Sequence, residues 1–138
     1  MINRDVLQKR IEKVREYLNF LNEVRENYNI TEFKQSKMVY GSGERFLHLT
    51  IEALIDIGNH IVSSEDLGVV DSYRDIPVIL HKNDYIEEKD KDLFIKIIGL
   101  RNILVHDYLE IEKETIYKII NESLSDLENI LKKYMKLL

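Results

Sequence analysis

Glu44-Arg45-Phe46-Leu47-His48-Leu49-Thr50-Ile51-Glu52-Ala53-Leu54-Ile55-Asp56-Ile57-Gly58-Asn59-His60-Ile61-Val62 is apolar on more than one face. A helix that is apolar nearly all round is buried on several sides. This segment, from Glu44 to Val62, therefore reads as a main helix of the fold, buried on several sides. Gly58 in its middle costs about 1 kcal/mol of helix propensity against alanine. The return for that cost is the close approach of another helix.

The flanking sequence supplies the partners. Upstream, Leu7, Ile11, Val14, Leu18, Leu21, Val24 and Tyr28 recur in steps of three and four, which predicts a helix from Arg4 to Tyr28. A break follows at Asn29-Ile30-Thr31, with Thr31 as the expected cap of a short helix over Glu32–Val39. Tyr40-Gly41-Ser42-Gly43 is either a loop or a weak point in a continuous helix, and a kinked helix is the preferred reading. Downstream, Ser63–Gly68 forms a loop and Ser72–Leu80 a short helix, which Pro77 kinks unless it lies in the first turn. A long helix is expected over Glu87–Val105. A last one runs over Lys113–Leu137, with the stripe Ile116, Ile120, Leu124, Leu127, Leu131, Tyr134 and Leu138. The fold expected is all-α, an up-and-down bundle of four long helices with a short extra helix, in a single domain over residues 1–138.

Composition narrows the possible functions. A length of 138 residues suits one domain, and 44% hydrophobic residues can build one core. The net charge of -5 argues against a protein that coats nucleic acid non-specifically, though not against a small local basic site. With no cysteine there is no disulfide, thiolate metal site or cysteine nucleophile, which fits a cytoplasmic setting. The first residues lack the apolar core of a signal peptide, and no apolar run approaches membrane-spanning length.

Chemistry concentrates in Gly99-Leu100-Arg101-Asn102-Ile103-Leu104-Val105-His106-Asp107-Tyr108. Arginine grips phosphate with a planar fork, and histidine moves protons near neutral pH. Five helical steps from Arg101 to His106 turn about 500°, so their side chains point roughly 140° apart. Asn102 and His106, four apart, share a face. Two chains meeting across a two-fold axis bring Arg101 and His106 together more easily than one chain does. Such a pair suits cleavage of RNA without metal. His106 takes the proton of a ribose 2′-hydroxyl, Arg101 stabilises the charge gathering on phosphorus, and Asn102 orients the imidazole or a phosphate oxygen. Taken by spacing alone, the same residues also admit a bland reading. In it His106 complements a helix dipole, Arg101 pairs with a carboxylate, and Tyr108 packs.

The motif resembles the signature of HepT-type proteins of the HEPN superfamily, in which an arginine is followed after four residues by a histidine, then any residue, then a tyrosine. The Arg45–Ile61 segment, with its Glu-Ala and Asp-Ile-Gly-Asn-His runs, resembles the family's second helix. Asp71-Ser72-Tyr73-Arg74-Asp75 resembles its short-helix entry, and Arg15-Glu16-Tyr17-Leu18 fits its first helix. Pro77 departs from a position that is usually helix-friendly. The resemblance implies a dimeric (or higher-order) all-α HEPN domain acting as a ribonuclease toxin on RNA such as tRNA or mRNA. It implies a partner antitoxin, a minimal MntA-type nucleotidyltransferase that transfers AMP to the motif tyrosine, here Tyr108. By residue match it makes Arg101 and His106 catalytic and Asn102 supporting. No cofactor and no metal is expected. The chain has no Gly-rich phosphate loop and no Gly-Ser pair followed by paired aspartates, so it is not itself the nucleotidyltransferase. Two rival readings keep the fold without the activity: a non-catalytic HEPN partner that docks a nucleotidyltransferase, and a plain oligomeric bundle.

Four further sites need an assignment. Asp56, Asn59 and His60 are polar residues on the apolar helix, and Asp56 and His60 share a face. Two ligands four apart are half a metal site. The preferred role is a buried hydrogen-bond network that holds the motif helix or lines the dimer cleft. His48 and Glu52, also four apart, read as a solvated pair. His81 reads as an exposed loop residue, and the Glu87–Asp92 run as a solvated helix start.

Overall fold

The computed structural model describes residues 2–106 and 112–138. Among them are six α-helices and no strand: α1 (Arg4–Asn27), α2 (Ile30–Gln35), α3 (Lys37–Ser64), α4 (Asp75–Lys82), α5 (Glu88–His106) and α6 (Lys113–Met135). The four long helices are found where periodicity puts them, except that α3 starts earlier, at Lys37. Leu7, Ile11, Val14, Leu18, Leu21 and Val24 of α1 are buried, as are Ile116, Ile120, Leu124, Leu127, Leu131 and Tyr134 of α6. Leu138, assigned to the last stripe, is instead exposed beyond the end of α6. No helix among the described residues is long and apolar enough to cross a membrane.

α3 holds the fold together and packs against each of the other five helices. It begins earlier than Glu44, and the two glycines are inside it. Ser36 caps it, its hydroxyl accepting from the Val39 N–H. Gly43 is buried where a Cβ would lie 3.2 Å from both Phe33 of α2 and Ile120 of α6. The missing side chain lets two neighbours close in, and that packing outweighs the glycine's low propensity. The early start of α3 at Lys37 shortens α2, which ends at Gln35 rather than Val39. Its cap is Asn29, not Thr31: Asn29 Oδ1 accepts from the Glu32 N–H while the Glu32 carboxylate accepts from the Asn29 N–H. This is a complete capping box, and it satisfies two otherwise orphaned donors at once.

Gly58 does admit close neighbours, namely Ile76 of α4 and Tyr134 of α6. The Tyr134 hydroxyl, fully buried, donates to the Leu54 carbonyl at 2.9 Å. Burial holds its ionisation well above the ordinary phenol range. α4 starts at Asp75 rather than Ser72, because the Asp75 carboxylate accepts from the Asp71 and Ser72 N–H groups and folds the preceding residues into a turn. Pro77 therefore lies in the first turn, where no intrahelical donor is needed, and the helix runs on to Lys82.

Two charged segments are less solvated than their sequence suggests. Asp90, within the acidic and basic run that opens α5, is buried; its Oδ2 accepts from the Glu87 N–H and pairs with Lys133 Nζ of α6 at 3.3 Å. His81 lies in the last turn of α4, half-buried, with Nδ1 3.1 Å from the Ile86 carbonyl oxygen.

Candidate functional site

Arg101 leaves the last third of α5 and is held from two sides. Its Nε donates to Glu52 Oε1 of α3 at 2.6 Å, and its Cζ sits 4.5 Å from the centre of the Tyr73 ring. The arginine side chain is only 18% exposed and that of Glu52 27%. Glu52 is held in turn, because His48, one turn earlier on α3, places Nε2 3.2 Å from the same Oε1. Tyr73 belongs to the turn that the Asp75 carboxylate ties down before α4. Two elements besides its own helix thus fix one guanidinium. His48 and Glu52 are a half-buried part of the site, not the solvated pair expected. Their spacing was visible in the sequence, but the partner that gives it meaning lies 49 residues away.

The next residue, Asn102, is exposed and faces another way. With Asn59 of α3, Asp71, Ser72, Tyr73 and Arg74 it lines an open cleft of about 840 Å³ between α3, the turn before α4, and α5. Ile103 beside it is 47% exposed, whereas Leu104 is buried in the core. The helix continues through His106 on its backbone, so the roughly 140° between positions 101 and 106 is kept. The side chain of His106 lies outside the description, and so does the whole of Tyr108.

Asp56, Asn59 and His60 form no buried network. Asp56 and Asn59 are exposed and His60 is half-buried. The reason is helical phase: Ile57, Gly58 and Ile61 take the inward face of α3, which turns the three polar residues outward. The three also part company. Asn59 joins the Asn102 cleft, and His60 pairs with Ser64 Oγ at 3.4 Å. Asp56 lies in a second hollow with Glu52 and with Lys9, Arg10, Lys13 and Tyr17 of α1. There the Asp56 backbone oxygen accepts from Arg10 Nη1 at 3.4 Å. Although its side chain reaches solvent, the Asp56 carboxyl is raised above the usual carboxylate range, first by partial burial and then by the Glu52 charge, with Arg10 opposing. The His60 imidazole is shifted down, first by partial burial and then by Arg10. Among the described residues no group of three or more His, Asp or Glu side chains is disposed to hold a metal ion.

The sequence pattern of the family described as ribonuclease HepT-like matches residues 7–134. The chain belongs to the HepT-like ribonuclease family. This HepT-like chain is 34% identical to the mRNA nuclease HepT of Shewanella oneidensis, over 71% of its own length and 84% of that protein's. It is 28% identical to the tRNA nuclease HepT of Aphanizomenon flos-aquae, over 86% of its own length and 80% of that protein's. Its fold superposes on a solved structure of the tri-AMPylated Shewanella oneidensis HEPN toxin in complex with MNT antitoxin. The TM-score is 0.81 at 30% identity, covering 97% of this chain and 98% of the other. The family resemblance and the HEPN-type all-α fold expected of the sequence are both borne out.

Proposed function

We propose that this HepT-like chain is a toxin that cleaves RNA by transesterification without a metal, in the cytoplasm, and is silenced by an MNT-type nucleotidyltransferase that adds AMP to Tyr108. The observation that carries the reading is the clamped Arg101, held at Nε by Glu52 and covered on one face by Tyr73. An arginine bonded at Nε keeps its terminal Nη edge for a phosphate. Relatives of the chain are an mRNA nuclease and a tRNA nuclease, which makes RNA the phosphodiester of choice.

In the proposed reaction neutral His106 takes the proton from a 2′-hydroxyl. The 2′-oxygen forms a bond to phosphorus as the bond to the 5′-oxygen breaks. The guanidinium of Arg101 stabilises the added charge on the phosphorane, and Asn102 supports the imidazole or a phosphate oxygen. His106 of a second copy gives a proton to the leaving 5′-oxygen. The products are a 2′,3′-cyclic phosphate and a 5′-hydroxyl. The angle between positions 101 and 106 on one helix favours this two-fold arrangement, and isologous dimers are the commonest assembly. Purified protein is expected to scatter light as twice the chain mass at micromolar concentration. It should cleave RNA to cyclic-phosphate ends with EDTA present. A fully active monomer, or activity lost to the chelator, overturns the shared metal-free site.

Tyr108 follows His106 by two residues in the motif. AMP attached there brings bulk and a negative phosphate beside the guanidinium that RNA needs, and repels the incoming backbone. A HEPN toxin similar in fold is AMPylated in its complex with an MNT antitoxin, which supports the reading. Incubation with the nucleotidyltransferase and ATP should add AMP to the native chain and stop cleavage. The Tyr108→Phe protein should gain no mass at that position by peptide spectrometry and should stay active. A Tyr108→Phe protein that is still modified and silenced moves the switch to another residue.

A further inference from the structure

We infer that Glu52 is a positioning residue for RNA cleavage, one that aims Arg101 at the scissile phosphate while His48 steadies it. The inference rests on the proposed role of Arg101. A guanidinium on a four-bond stem has many rotamers, and a phosphate-binding fork works only when its plane and edge are fixed beforehand. Glu52 Oε1 fixes the inner end by accepting the Nε–H at 2.6 Å, and the Tyr73 ring at 4.5 Å fixes the plane. Among the described residues, Glu52 is the one carboxylate that bonds this guanidinium. Because it takes Nε rather than the paired Nη groups, it leaves the bidentate edge for substrate. His48 Nε2, 3.2 Å from the same oxygen, holds the carboxylate against swinging away. Both residues stand near the middle of α3, the helix that every other helix packs against, so the aiming group is anchored in the core. Tyr73 takes its own position from the Asp75-tied turn.

A role confined to structure predicts that Glu52 matters whether or not Arg101 is present, whereas a positioning role predicts that it matters only through Arg101. The test is a double-substitution cycle on the full chain, read by single-turnover cleavage of a short RNA with protein in excess. Glu52→Gln keeps the shape and one acceptor oxygen, and Glu52→Ala removes both. In the native background, Glu52→Ala is expected to lower the cleavage rate roughly 10- to 100-fold, the order expected when a reacting group is misplaced by about an ångström. Glu52→Gln should cost less, because the Nε–H keeps an acceptor. In the Arg101→Ala background, neither change should lower the rate further. Circular dichroism melts of every variant identify any that fails to fold, and the Gln variant keeps the cycle readable if the Ala variant does. Equal losses in both backgrounds, or no loss in the native one, overturn the positioning role while leaving the catalytic reading of Arg101 in place. An Arg101→Ala protein that cleaves at the native rate overturns both.

Discussion

Replacing His106 with alanine should slow RNA cleavage by roughly two to four powers of ten, the usual loss when a general acid–base group is removed. Arg101→Ala should cost about two to three powers of ten, as removal of one oriented charge stabiliser does. Both proteins should remain folded. His106 closes the last turn of α5, beyond the buried Phe94, Ile97, Ile98 and Leu104 that tie the helix to the core. Removing Arg101 leaves Glu52 beside His48, so its half-buried carboxylate keeps a partner. Single-turnover rates with thermal melts on the same samples check the claim. Native activity in His106→Ala would remove the proton-transfer role, and a collapsed melt in either variant would assign the loss to folding instead.

Gly58→Ala is expected to destabilise the fold by about 1–3 kcal/mol, although alanine is the better helix former by about 1 kcal/mol. A Cβ at this position lies 2.6 Å from Ile76 Cγ2 and 2.8 Å from the Tyr134 hydroxyl oxygen. The isoleucine methyl is a short branch in a buried seam and cannot swing clear. Moving the tyrosine strains its 2.9 Å bond to the Leu54 carbonyl, an interaction worth about 1 kcal/mol. Gly41 is the control in the same helix: a Cβ there meets nothing within 4 Å. Gly41→Ala should therefore raise stability, by up to about 1 kcal/mol. Urea midpoints, with unchanged slopes, separate the two. A Gly58→Ala protein at least as stable as the native chain contradicts the close packing of α3, α4 and α6.

The difference between those two glycines marks the limit of what sequence shows. Helix periodicity located all four long helices because their burial repeats every three or four residues. Propensity suggested a weak point at Gly41-Ser42-Gly43, yet Gly43 is where Phe33 and Ile120 close on α3. That contact joins residues far apart along the chain, and no local rule contains it. Asp90 looked solvated because its partner Lys133 lies on another helix. Asp56, Asn59 and His60 looked buried because α3 is so apolar, while their phase turns them to its outer face. Arg101 stood out as a chemical group in the sequence. Glu52, which holds it, was marked by an i,i+4 histidine and by the Glu-Ala run of the family's second helix, but by nothing that links it to Arg101.

The central place of α3 also bears on which motions the protein can make. A helix packed against all five others is expected to exchange the amide hydrogens of its middle turns mainly when the whole domain opens. Glu52 and His48 sit on that slowest-opening element, whereas Tyr73 stands on a short turn and Arg101 near the end of α5. Fluctuations of the rim are therefore expected to leave this carboxylate in place. After a partial opening, Arg101 should then find the same acceptor again, and the guanidinium should regain its aim without the core having unfolded.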